Sequence, residues 1–148
     1  MRLTVYDVIE FLQQIGKYDV IIHNKLIEYQ QCKALAESTT SVLTPDKVQT
    51  SGSKQKMAEA VERYIEIENE IKEYVDKLYD AKNEVLSKIE QLEPVDYDVL
   101  HKIYVQFMTL QDVADAYVKS YSWACKRHTK ALETLEEIIN KEKEINCT

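Results

Sequence analysis

Two glycines and two prolines in 148 residues are too few to punctuate the turns of a β-sandwich or barrel, and they exclude collagen-like and linker-rich chains. No apolar run approaches the ~18 residues of a membrane-spanning helix, and the mean hydropathy is −0.42. Met1–Gly16 lacks the basic start, apolar block and small-residue cleavage site of a secretory signal. A cytoplasmic protein away from membranes is expected. Cys32, Cys125 and Cys147 form no C-x-x-C pair and have no histidine at zinc-ligand spacing. They read as reduced thiols, with no metal site and no cofactor implied. His23, His101 and His128 are isolated, and Gly16 and Gly52 cannot build a phosphate loop. An enzyme is not expected.

What the chain does have is helical amphipathicity. Hydrophobic residues make up 45% and charged residues 30%, enough for a core with a solvated exterior. The net charge of −7 is unevenly spread: +1 over residues 1–56, −6 over 57–93 and −2 over 94–148. Acidity therefore belongs to the middle of the chain and says little about its last third.

Thr4–Glu37 places Val8, Leu12, Ile15, Ile22, Leu26, Tyr29 and Ala36 on one helical stripe. Gly16 predicts a break, with a short helix before it and a long one after. Thr4 and Asp7 have the spacing of a capping box. Ser38–Ser53, rich in Ser, Thr, Pro and Gly, reads as a loop. From Lys54 to Leu92 the apolar positions Met57, Ala60, Tyr64, Ile67, Ile71, Tyr74, Leu78, Ala81 and Val85 alternate by three and four, which is a heptad seam. The stripe shifts at Lys88 to Ile89 and Leu92. Such a helix runs ~58 Å at 1.5 Å per residue and needs a long partner. Thr4–Glu37 supplies one in an antiparallel hairpin, and a second subunit is the other candidate. Tyr64, Ile67, Ile71, Tyr74 and Leu78 are the expected core of this hairpin or oligomer interface.

Glu93-Pro94 ends the long helix. Three short helices are then expected: Asp96–Phe107, Leu110–Tyr117 and one beginning after Ser120. Thr109 with Asp112 marks the second start and Ser120 the third. The third carries an inward stripe of Ala124, Arg127 or His128, Ala131 and Leu135. Val118-Lys119 makes the turn, so the spacing is that of a helix-turn-helix. Val118–Leu132 holds Lys119, Lys126, Arg127 and Lys130 and no acid, a local charge of +4 in an acidic protein. Local cations are what phosphate binding requires. Ser122, Lys126, Thr129 and Lys130 are the candidates for groove contacts, and Lys119, Trp123 and Arg127 for contacts to the DNA backbone. Acids resume at Glu133, Glu136 and Glu137.

The run Thr109-Leu110-Gln111-Asp112-Val113-Ala114, then Ser120, then Ala131-Leu132 and Leu135, is similar to region 4 of bacterial sigma-70 factors. Over roughly residues 20–136 the chain resembles small phage proteins related to the RinA/ArpU-type late transcription regulators. Three blocks carry that likeness: Asp46–Ser51, Ile89–Leu92, and Ser120-Tyr121 with Cys125-Lys126 and His128–Leu132. The sequence departs from it at Ile103, where the family is expected to have Arg, and at Val118, where the turn usually has Gly.

The resulting expectation is an all-α protein: a long helical hairpin over 1–92, coiled-coil-like, followed by a three-helix DNA-binding domain over 93–148. The resemblance implies a sequence-specific, DNA-binding regulator of phage or phage-related late or packaging genes in a bacterial cytoplasm. Double-stranded DNA, host RNA polymerase and further copies of the chain are the implied partners. Two alternatives stand beside it: a small terminase-like packaging subunit, and a coiled-coil adaptor binding a regulator or RNA polymerase.

Overall fold

The computed structural model describes residues 2–41 and 51–147, with side chains over 2–37 and 54–147. The fold is all-α: α1 (Val5–Ser41), α2 (Ser51–Ile89), α3 (Pro94–Leu100) running into a π-helical turn (His101–Val105), α4 (Leu110–Tyr117) and α5 (Tyr121–Asn146), with no strand among the described residues. The two long helices pack together, as the heptad pattern requires.

Helix α1 starts at the expected box. The Asp7 amide donates to Thr4 Oγ1 at 3.3 Å and the Thr4 amide donates to Asp7 Oδ2 at 2.8 Å. The second of these bonds holds the Asp7 carboxyl below the usual range. The break expected at Gly16 does not occur, since α1 is continuous to Ser41. An interior glycine costs a helix roughly 0.5–1 kcal/mol, which the burial of Leu12 and Ile15 before it and Ile22 after it outweighs. The expected loop Ser38–Ser53 is narrower than its composition suggested, because 38–41 and 51–53 are helical; its centre, 42–50, and most of the Asp46–Ser51 block lie outside the described residues.

The chain packs as two units, Tyr18–Lys77 and Met1–Lys17 with Leu78–Thr148. This differs from the division at 92/93 read from the sequence. Within Tyr18–Lys77, α1 and α2 run antiparallel: Tyr18 packs on Tyr74 (ring centroids 6.2 Å), Lys25 Nζ meets Glu70 at 2.6 Å, and Tyr29 meets Tyr64 edge-on at 5.8 Å. Ile67 is buried, whereas Tyr64, Ile71 and Tyr74 are half-buried.

The other unit has the larger core. Val8, Leu12 and Ile15 of α1 meet Val85 and Ile89 of α2, Leu92, Leu100, Tyr104, and Ala131, Leu132, Leu135 and Ile139 of α5; half-buried Leu78 packs against the same cluster. The shifted stripe at Ile89 and Leu92 is what turns the end of α2 toward this core, and Lys88 beside them pairs with Glu142 of α5. Helix α5 runs well past Leu135. Its buried Asn140 clamps the segment ahead of α1, accepting from the Leu3 amide at 2.9 Å and donating to the Leu3 carbonyl at 3.1 Å. The start of the chain is thus part of the unit that carries the helical trio, which local periodicity cannot reveal.

Candidate nucleic-acid interface

Helix α4 is fixed at both ends. Thr109 Oγ1 accepts from the Asp112 amide at 3.1 Å and Asp112 Oδ2 accepts from the Thr109 amide at 3.0 Å, a complete capping box. At the far end the Lys119 amide donates to the Ala114 carbonyl at 2.9 Å and the Val118 amide to the Asp115 carbonyl at 3.1 Å. That bonding pattern is a Schellman motif, and Val118 occupies its left-handed position at φ 53°. Ser120 then opens α5, its Oγ accepting from the Trp123 amide at 3.1 Å. Val113, Ala114 and Ala124 are fully buried, so small side chains occupy the α4–α5 contact. The boundaries of α4, the turn and the start of α5 are those expected from sequence.

The first expected helix is changed. It is α-helical only to Leu100 and then widens into the π turn, where the Gln106 amide donates to His101 O at 3.0 Å and the Met108 amide to Lys102 O at 2.9 Å. Phe107 closes it at φ 60°. The turn presents Tyr104 inward. Its hydroxyl shares a hydrogen bond with His128 Nε2 at 2.8 Å, and burial pushes its pKa up to about 12. Burial also holds His128 below its ordinary 6.5. Of the two residues weighed for the inward stripe of α5, both point in. Arg127 Nε lies 2.9 Å from buried Asp96 Oδ1. The contact is ionic, since neither atom makes a well-directed hydrogen bond.

The expected DNA-facing residues therefore separate into two groups. Lys119, Ser122, Lys126, Thr129 and Lys130 are exposed, and none of the three lysines pairs with a carboxylate among the described residues. Arg127 and Trp123 are drawn inward instead of standing free as backbone contacts. Arg127 is neutralised by Asp96, and Trp123 packs on Tyr117 with ring centroids 5.2 Å apart. Sequence reasoning missed Asp96 and Asp98 as anchors of the trio. Burial opposes ionisation of Asp98, but hydrogen bonds from Tyr117 and Lys102 outweigh it and hold its carboxyl low. The signal was two acids in the otherwise apolar PVDYDVL run, the second at i,i+4 to Lys102.

Lys126, Thr129 and Lys130 line a shallow depression of about 300 Å³ with Cys125 and Glu133. Glu133 thus shares the outer face and bounds the acid-free surface to the first turns of α5. Val118 and Tyr121, both exposed, complete that surface at the turn. No family model matches this chain, and no curated protein or solved structure matches it significantly.

Proposed function

We propose that α4, the Val118-Lys119 turn and α5 form a helix-turn-helix that binds double-stranded DNA in a sequence-dependent way, with α5 in the major groove. The observation that carries this reading is the trio of unpaired, exposed lysines, Lys119, Lys126 and Lys130, at the start of a helix set by two caps and a Schellman turn. An unpaired cation on a rigid helix retains its full charge for phosphate, and its contact releases counterions. Ser122 adds a hydroxyl beside them on the exposed face, suited to a base edge or phosphate, while Thr129 Oγ1 donates to the Cys125 carbonyl at 3.0 Å and offers its lone pairs to a base-edge donor. The resemblance to phage late regulators supplies the biological setting, control of phage or phage-related late or packaging genes.

The test is a titration of duplex DNA at several salt concentrations. Lys126→Ala and Lys130→Ala each weaken binding and lower the salt slope by about one for every phosphate left without its cation. Circular dichroism stays unchanged, because both side chains are exposed. Unchanged affinity and slope in the double variant reject the interface. Light scattering separates a dimeric regulator from the large ring expected of a small terminase-like subunit.

A further inference from the structure

Val118 is held in a conformation that its own side chain disfavours. It sits at φ 53°, the left-handed region that β-branched side chains resist and that glycine adopts freely. Its side chain is 90% exposed, so no side-chain packing compensates for the strain and only backbone hydrogen bonds hold it. The backbone there needs only the Schellman hydrogen bonds of Val118 and Lys119, which glycine would make equally well. Strain held at an exposed position without packing points to a contact outside the chain. Three residues on, Tyr121 in the first turn of α5 is 53% exposed. An exposed aliphatic side chain and an exposed aromatic ring, whose hydroxyl bonds Cys125 one turn on, thus stand at the turn, with Lys119 between them in sequence and Lys126 one and a half turns beyond Tyr121 along the helix.

The chemistry of the surroundings selects the partner. Around them Val118–Leu132 offers the exposed cations Lys119, Lys126 and Lys130 and the hydroxyl of Ser122, with the exposed acids Asp115 and Glu133 only at its two ends. The major groove of DNA matches that set: phosphates on its walls, hydrogen-bonding base edges on its floor, and one apolar group, the thymine C5 methyl. We infer that Val118 and Tyr121 form an apolar prong that contacts thymine methyl groups where the start of α5 meets the groove, making the proposed DNA interface thymine-selective at that step. The inference rests on the DNA-binding reading above.

The experiment selects preferred duplexes from a random pool with the full chain, then replaces each thymine in turn by deoxyuridine, which removes only the methyl. The wild-type protein loses about fourfold in affinity at one or two positions, the worth of one buried methyl-sized group. Val118→Gly binds the thymine duplex more weakly by a similar factor and no longer distinguishes thymine from deoxyuridine there. Its thermal midpoint rises, because strain is relieved, so weakened binding is not misfolding. Tyr121→Ser gives the same loss of discrimination at the same or the adjoining step. Salt-sensitive binding with no deoxyuridine effect in the wild type overturns the prong and leaves the DNA reading standing. So does discrimination that survives in both variants. A change in oligomeric mass on Val118→Gly with DNA affinity unaltered also overturns it, in favour of a protein contact. Absence of any salt-sensitive binding overturns the DNA reading and the prong with it.

Discussion

Gly16 and Phe107 show how a single residue is reinterpreted by its neighbours. A methyl group built on Gly16 would meet the Phe107 ring at 3.5 Å, an ordinary van der Waals contact. Gly16→Ala should therefore stabilise the protein by about 0.5–1 kcal/mol, through helix propensity and reduced unfolded-state freedom. Thermal denaturation reads this directly, and a destabilised variant would mean that the Phe107 ring lies closer than the structure has it. His128 sets a second prediction. Its folded pKa lies below the unfolded value near 6.5 because burial penalises the charged ring. The unfolded chain then binds the extra proton first, so this contribution is complete above that value and declines as pH falls below it. Wild type should lose stability between pH 6.5 and 5 faster than His128→Gln, which has no ring to charge. Asp7 and Asp98, whose carboxyls are held below the usual range, do not obscure this window. Parallel stability curves over that range would exclude the mechanism.

Among the elements, α2 contributes through its seam, but not evenly. Ile67 is 1% exposed while Ile71, one turn on, is only half-buried. Ile67→Ala should cost about 2–5 kcal/mol, as a cavity forms in a closed site, and Ile71→Ala distinctly less. Equal losses in urea unfolding would show that the second position is as enclosed as the first. Helix α2 was legible in detail because heptad spacing is a local property of one strip of sequence. The same holds for α4 and the start of α5, where Thr109, Asp112 and Ser120 mark helix starts by their own side-chain hydrogen bonds. The π turn was not legible: Asp96–Phe107 has ordinary helical spacing, and the widening shows only where Tyr104 is held against His128.

Over the whole molecule, burial is concentrated in the unit of Met1–Lys17 with Leu78–Thr148. Twelve buried residues form one cluster there, whereas Tyr18–Lys77 buries only Ile22, Ala36 and Ile67 among its described apolar side chains. Its cross-helix contacts include Tyr–Tyr pairs, Lys25 over the Tyr74 ring and the Lys25–Glu70 ion pair, where the Lys25 ammonium holds the Glu70 carboxyl below its usual range. Half-exposed ion pairs of this kind add little. Amide hydrogen exchange should therefore show opening of Tyr18–Lys77 below the global unfolding free energy, with Val85–Ile89 and Ala131–Leu135 among the slowest amides. Uniform protection along α1 and α2 would contradict a subdivided stability.

All-helical class, the antiparallel pairing of the long helices and the limits of the central short helix follow from spacing, caps and the scarcity of glycine and proline. Each is a near-neighbour property that a linear pattern carries. Which surface remains free for a partner is a different kind of fact. Arg127 and Lys126 are adjacent cations on one helix, and only the position of Asp96 on α3 makes the first an internal counter-ion and leaves the second unpaired. The attachment of the first helix to the helical trio likewise depends on Asn140 reaching Leu3 across 137 positions of sequence. Periodicity extends only a few turns, whereas burial and charge neutralisation depend on residues that only the folded chain brings together.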